Sequence, residues 1–142
     1  MTALRVLIVD DEPPARARLR ELLDDCRAEV PNAIVGEARN GIAALELLAS
    51  STADVVLVDI HMPGMSGVEF ARHIQGLEAP PAVIFVTAHD QYAVEAFELN
   101  AVDYLLKPVR ASRIAAALKK AATGHRDTRE VLDRVDPLPR RF

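Results

Sequence analysis

The fold is decided by residues 53–64, which read Ala-Asp-Val-Val-Leu-Val-Asp-Ile-His-Met-Pro-Gly. The central run, Val55–Val58, is apolar at every position, which is typical of a strand covered on both faces of a parallel sheet. Asp59 follows this run directly, and Met62-Pro63-Gly64 then breaks the chain. The stretch therefore predicts a buried strand that ends at a carboxylate and leads through a short loop into a helix.

The same alternation extends in both directions from this stretch. Compact runs predict five strands, at Leu4–Val9, Ala33–Ala38, Val55–Val58, Ala82–Val86 and Asp103–Leu106. Apolar residues recur at helical spacing between them, as in Leu19, Leu22, Leu23 and Cys26. Right-handed crossovers between such strands predict an α/β fold, (βα)5, with a doubly wound five-stranded parallel sheet.

Residues at the helix ends support this division. Proline suits a first helical turn, and short polar side chains cap helices. The predicted starts are Pro13-Pro14, Asn40, the capping-box pair Ser66 and Glu69, Asp90 and a position near Ser112.

Composition narrows the function classes. The chain has 142 residues and a net charge of −4, which argues against nucleic-acid binding by this segment alone. The single cysteine, Cys26, is predicted to be a buried hydrophobe, and it excludes a disulfide within the chain. No run approaches the roughly 20 apolar residues that span a bilayer, and no signal peptide is evident. We therefore expect a cytoplasmic protein without a membrane partner.

Polar groups stand where four of the predicted strands end. They are Asp10, Asp11, Asp59, Thr87 and Lys107. Ligands of doubly wound folds bind beyond the carboxyl ends of the strands. Three adjacent carboxylates repel each other, and a hard divalent cation such as Mg²⁺ relieves that repulsion. With a lysine and a hydroxyl to contact phosphate oxygens, the set predicts phosphoryl transfer to Asp59.

Four stretches together resemble the receiver domains of two-component response regulators. They are Val6–Glu12 (Val-Leu-Ile-Val-Asp-Asp-Glu), Val58–Gly67 (Val-Asp-Ile-His-Met-Pro-Gly-Met-Ser-Gly), Phe85–Ala88 (Phe-Val-Thr-Ala) and Asp103–Pro108 (Asp-Tyr-Leu-Leu-Lys-Pro). Residues 10–19 and 87–97 further resemble the subgroup with a LytTR-type DNA-binding output, which includes the alginate regulator of pseudomonads. The resemblance implies a flavodoxin-like sheet of strand order 2-1-3-4-5. The match covers about residues 3–123, so we expect a receiver domain over residues 1–123. Residues 124–142 are rich in Arg and Asp, with Pro137 and Pro139 near the end. This composition predicts a linker, with a short helical extension, toward a C-terminal output domain.

The resemblance also implies a role for each matching residue. Asp59 is the phosphoacceptor. Mg²⁺ (or Mn²⁺) is bound by Asp11, Asp59 and the backbone carbonyl of His61, with Asp10 acting through water. Lys107 and Thr87 contact the phosphoryl group. Thr87 and Tyr104 form the switch, and Pro108 follows a cis peptide bond.

The implied partners are a sensor histidine kinase and a second copy of the chain. The second copy would bind through the fourth helix, fifth strand and fifth helix, over residues 91–99 and 112–122. DNA would be bound only by the output domain, which would regulate transcription. His61 and His89 each lie two residues beyond a site residue. We hypothesise that they flank the phosphoryl group and make its hydrolysis depend on pH.

Two other functions fit part of the pattern. A Mg²⁺-dependent phosphatase of the haloacid dehalogenase type also uses an aspartyl nucleophile, but it carries a second aspartate where this chain has His61. A degenerate receiver would serve only as a dimerisation module. We expect a regulator rather than a turnover enzyme, and a transcriptional regulator rather than a stand-alone phosphoryl carrier.

Overall fold

The computed structural model describes the backbone of residues 3–135 and the side chains of residues 3–123. Strands and helices alternate along the chain. They are β1 (Leu4–Val9), α1 (Pro13–Asp25), β2 (Asn32–Ala38), α2 (Gly41–Ser50), β3 (Val55–Val58), α3 (Gly67–Ile74), β4 (Ala82–Thr87), α4 (Ala93–Glu98), β5 (Asp103–Leu106) and α5 (Ala111–Val135).

The strands form one parallel sheet in the order β2-β1-β3-β4-β5, so the predicted fold class and strand order are confirmed. Each face of the sheet carries its own apolar layer. One layer, which includes Leu22, Ile84 and Ile114, packs against α1 and α5. The other, which includes Phe70 and Phe85, packs against α3 and contains Ala96 of α4. Burial on both faces explains why β3 is apolar at every position.

The helix ends follow the predicted caps with one exception. The Asn40 side chain accepts a hydrogen bond from Ala43 N (2.7 Å), and Ser66 and Glu69 form the complete capping box. The predicted Asp90 cap is wrong. Helix α4 begins at Ala93 after Tyr92 and has no side-chain cap, while Asp90 offers only its carbonyl, to Ala93 N at 3.4 Å.

The last helix starts at Ala111, one residue before the predicted position, and its backbone stays helical past residue 124 to Val135. The predicted boundary between receiver and linker therefore falls inside a continuous helix, and that division stays a prediction. Residues 136–142 of the predicted linker lie outside the described residues. No helix in the described part of the chain is long and apolar enough to cross a membrane.

Candidate functional site

Strand register brings the predicted site residues to one edge of the sheet. Val9 pairs with Val58, so Asp10 and Asp59 leave neighbouring strands side by side. Asp59 N donates to Val9 O (3.0 Å). On the other side, Lys107 N donates to Thr87 O (2.8 Å), so the backbone pairing continues beyond the end of β5. Backbone hydrogen bonds therefore place these residues at the same edge of the sheet, independently of their side-chain contacts.

Three carboxylates meet at this edge. Asp10, Asp11 and Asp59 each offer an oxygen, and the three oxygens lie within 4.8 Å of one another. Asp10 and Asp59 are only 1 % and 8 % exposed, whereas Asp11 is half-buried. Like charges this close in a partly desolvated place repel strongly unless a cation joins them.

Lys107 supplies one cation. Its Nζ donates to Asp10 Oδ2 (2.9 Å) and to Asp59 Oδ2 (3.4 Å). Burial acts to lower the pKa of Lys107, but the hydrogen bond to Asp10 and the charges of both carboxylates outweigh it. The pKa of Lys107 is therefore raised above its usual value, and its ammonium stays charged at neutral pH.

The remaining polar contacts hold two of the carboxylates in place. Asp10 Oδ1 accepts a hydrogen bond from Glu12 N (3.0 Å), and Asp59 Oδ1 accepts one from Ile60 N (2.8 Å). Arg16 donates to the carbonyl of Asp10 (2.7 Å) and thereby fixes the loop after β1. Among the described side chains, none donates to the Asp11 carboxylate, so that carboxylate retains its capacity for a ligand.

The donor set fits a magnesium ion. All three candidate ligands are carboxylate oxygens, and with Lys107 counted the four groups sum to a charge of −2. Mg²⁺ prefers one or two carboxylates together with water and phosphate oxygens, which suits a half-buried site at a surface.

Thr87 and Tyr104 both bond to the backbone of His89. Thr87 is fully buried, and its Oγ1 accepts a hydrogen bond from His89 N (3.3 Å). The Tyr104 hydroxyl donates to the carbonyl of His89. Tyr104 packs against Phe85 with ring centroids 6.0 Å apart, and burial raises the pKa of its hydroxyl. The two predicted switch residues are therefore both hydrogen-bonded to the same residue of the β4–α4 loop.

His61 and His89 lie next to each other. Their rings stack with centroids 4.0 Å apart and an interplanar angle of 24°. His61 Nε2 also lies 3.0 Å from the hydroxyl of Tyr92. The side chains of His61 and Tyr92 border an open groove of about 670 Å³ between α3 and α4, which Glu69 and Arg72 also line.

Sequence reasoning missed two contributors to the site. One is Tyr92, because no local pattern predicts its contact with His61. The other is Gly67. A Cβ at this position would lie 2.1 Å from the carbonyl oxygen of Asp59, so only glycine lets α3 approach so closely. The usable signal was a glycine directly after a helix cap, where it weakens the helix.

The Lys107–Pro108 peptide bond is cis in the structure, as the resemblance implied.

Comparison with known proteins agrees with this geometry. The family model for the response regulator receiver domain matches residues 6–119. The chain is 52 % identical over 126 residues to the positive alginate biosynthesis regulatory protein of Pseudomonas aeruginosa, covering 87 % of this chain and 49 % of that protein. It is 44 % identical over 117 residues to the transcriptional regulatory protein LytR of Staphylococcus aureus, covering 82 % and 46 %.

Solved structures show the same relationship. The response regulatory domain of protein mrkE from Klebsiella pneumoniae superposes with a TM-score of 0.76 at 37 % identity, covering 85 % of this chain and 97 % of that one. The signal receiver domain of the response regulator NarL from Mycobacterium tuberculosis gives 0.76 at 34 % identity, covering 87 % and 99 %.

The chain spans about half the length of the curated relatives it matches. By their names, these relatives regulate transcription or alginate biosynthesis. Family model, relatives and site geometry agree, and the chain belongs to the family of response regulator receiver domains.

Proposed function

We propose that this domain accepts a phosphoryl group on Asp59 from a sensor histidine kinase in a Mg²⁺-dependent reaction. The observation that carries the proposal is the position of Lys107. Its Nζ contacts both Asp10 and Asp59 at the edge where the three carboxylates meet. An ammonium in that place can neutralise charge on the phosphoryl oxygens while an Asp59 carboxylate oxygen bonds to phosphorus. The phosphorus–nitrogen bond to the kinase histidine breaks in the same step, and the imidazole leaves.

The other groups have separate roles in this reaction. Asp11, Asp59 and the carbonyl of His61 would hold Mg²⁺ (or Mn²⁺), and Asp10 would act through water. The metal would neutralise phosphate oxygens. Asp10 also orients Lys107 through the 2.9 Å contact.

Thr87 and Tyr104 form the proposed switch. Phosphorylation adds negative charge and acceptor oxygens where a carboxylate stood. The Thr87 hydroxyl can donate a hydrogen bond to one of those oxygens. Because Thr87 Oγ1 accepts a hydrogen bond from His89 N, movement of Thr87 would also move the backbone at His89. Because Tyr104 donates to the carbonyl of the same residue, movement of this loop would repack Tyr104 against β4.

The face formed by α4, β5 and α5 is the proposed contact with a second copy. Val94, Phe97 and Leu106 are exposed apolar side chains on α4 and β5. On β5, Asp103 is paired with Lys120 (3.1 Å) and Arg113 (3.5 Å) of α5, which leaves a mixed apolar and ionic surface. Such a surface suits a switchable homodimer.

The names of the relatives lead us to propose a cytoplasmic transcriptional regulator rather than a turnover enzyme. Because this chain carries a net charge of −4, its DNA contacts would come from an output domain, which we propose is of the LytTR type.

His61 and His89 are proposed to control how long the phosphoryl group survives. Their rings stack on each other, and each residue follows a proposed site residue, Asp59 or Thr87, by two positions, so the pair could restrict an attacking water. Autodephosphorylation should therefore change in His61→Ala and in His89→Ala. Lifetimes equal to wild type in both variants, across about pH 5.5–8, would remove this role.

Intact mass after incubation with Mg²⁺ and acetyl phosphate tests the main proposal. We expect one added phosphoryl group in wild type, none in Asp59→Asn, and much slower addition in Lys107→Met. Addition at the wild-type rate without Lys107 would contradict the proposed chemistry. Repeated turnover of a small phosphate ester would point to a phosphatase instead.

A further inference from the structure

Three aromatic side chains join two loops beside the proposed phosphoacceptor. His61 stacks on His89 at 4.0 Å and meets Tyr92 edge-on at 5.3 Å between ring centroids. Its Nε2 and the Tyr92 hydroxyl are 3.0 Å apart, within hydrogen-bond distance. We refer to His61, His89 and Tyr92 as the aromatic clasp. It holds the β3–α3 loop against the β4–α4 loop.

Two residues of the aromatic clasp, His61 and Tyr92, link the site to α4. His61 lies two residues after Asp59 in the chain, and its carbonyl is a proposed metal ligand. Tyr92 is the N-cap residue of α4, and its carbonyl accepts the first helical hydrogen bond, from Ala96 N (3.0 Å). The hydroxyl of Tyr92 therefore connects the loop after Asp59 directly to the first turn of α4.

Helix α4 is otherwise weakly anchored. It has six residues, of which only Ala96 is buried, while Val94 and Phe97 are 71 % and 66 % exposed. Two other contacts hold it to α3. Arg72 and Glu95 form an exposed ion pair at 3.8 Å, and Gln75 donates to the carbonyl of Leu99 at 2.5 Å. Exposed ion pairs contribute little to stability. An element with so few buried contacts moves at low cost.

We propose that Tyr92 is a positioning residue that couples the loop after Asp59 to α4 through its hydrogen bond to His61. This inference rests on the proposed function. When metal and phosphoryl group bind, the loop that carries His61 shifts, and the clasp transmits that shift to α4. This link runs beside the one through Thr87 and Tyr104, and it reaches the helix that bears the exposed Val94 and Phe97. By linkage, a partner bound to α4 would in turn alter binding at Asp59.

The test loads the domain with Mg²⁺ and beryllofluoride, a phosphoryl mimic. Fluorine NMR reports whether the mimic is bound, and amide shifts of residues 93–98 report the response of α4. Tyr92→Phe removes the hydroxyl but keeps the ring. We expect this variant to bind the mimic while its α4 shifts fall to about half of wild type or less. The matched control is Arg72→Gln, which removes the ion pair between α3 and Glu95 of α4. We expect the α4 shifts of this variant to equal those of wild type.

Each other outcome decides against part of this account. Wild-type α4 shifts in Tyr92→Phe would overturn the coupling role and leave the phosphoacceptor proposal intact. An equal loss in Arg72→Gln would assign the link to the pairing of α3 with α4 as a whole and overturn the role of Tyr92. Loss of the bound fluorine signal in Tyr92→Phe alone would place Tyr92 in the loading site instead. Absence of that signal in wild type would overturn the proposed function and, with it, this inference.

Discussion

Replacing Asp11 by asparagine should stabilise the domain when no divalent cation is present. The three carboxylate oxygens lie within 4.8 Å of one another, and only Asp10 and Asp59 are bonded to Lys107. No described side chain donates a hydrogen bond to the Asp11 carboxylate. The substitution therefore removes like-charge repulsion at nearly constant shape and breaks no observed contact.

The size of the effect follows from Coulomb's law. Two unit charges about 5 Å apart repel by about 3.5 kcal/mol at an effective dielectric constant of about 20, and by about 1 kcal/mol in bulk water. Asp11 faces two carboxylates but is half-buried and also feels the positive charge of Lys107. A net gain of about 1–3 kcal/mol is expected, which for a domain of this size raises Tm by about 3–10 °C.

Thermal unfolding followed by circular dichroism, in EDTA and with saturating Mg²⁺, measures this directly. Mg²⁺ should raise Tm in wild type, because the ion binds only the folded site, and should raise it much less in Asp11→Asn. Asp25→Asn is the matched control, since Asp25 is an exposed carboxylate at the end of α1. If Asp11→Asn melts at or below wild type in EDTA and gains as much from Mg²⁺, the carboxylate cluster is not a metal site.

Two further predictions concern the supporting structure. Gly67→Ala should lower the free energy of unfolding by about 1–3 kcal/mol in urea, because its Cβ would overlap the Asp59 carbonyl oxygen. Gly76→Ala, where the nearest atom is 3.5 Å away, should cost less; equal costs would contradict the reasoning. The side-chain hydrogen bond from Arg5 lowers the pKa of the Asp54 carboxyl. Burial acts in the opposite direction but does not cancel this effect. The interaction of Asp54 with Arg5 contributes under about 1 kcal/mol to the free energy of unfolding at pH values above the ordinary aspartate pKa near 3.9. This contribution is lost as pH falls through the lowered pKa of Asp54. The urea midpoints of wild type and Asp54→Asn should therefore differ more at about pH 7 than at about pH 3; a larger difference at low pH would refute the assignment.

The strands, and the edge of the sheet at which the candidate site residues lie, were predictable because both depend on local pattern. An apolar run that ends at a polar group, such as Val55–Val58 before Asp59, specifies a buried parallel strand and the edge at which its last side chain emerges. Once the strands are parallel, their polar ends must share one edge, so Asp10 and Lys107 meet there.

The region between β4 and α4 was not predictable in the same way. Asp90 has the character of a cap, but the loop follows tertiary contacts of His89 with Thr87, Tyr104 and His61. Tyr92 binds His61 across 31 positions of chain, and no periodicity or propensity encodes such a pair. Contacts between loops on different strands decide this part of the site.

The central claim is that Asp59 takes the phosphoryl group, and trapping the acyl phosphate chemically tests it most directly. Borohydride reduces a phosphoaspartate to homoserine, which peptide mass spectrometry locates by residue. After incubation with Mg²⁺ and acetyl phosphate, we predict homoserine at position 59 and at no other aspartate, with none in EDTA. Homoserine at position 10 or 11 with Asp59 unmodified, or no modification at all under conditions in which beryllofluoride also fails to bind, would contradict the account.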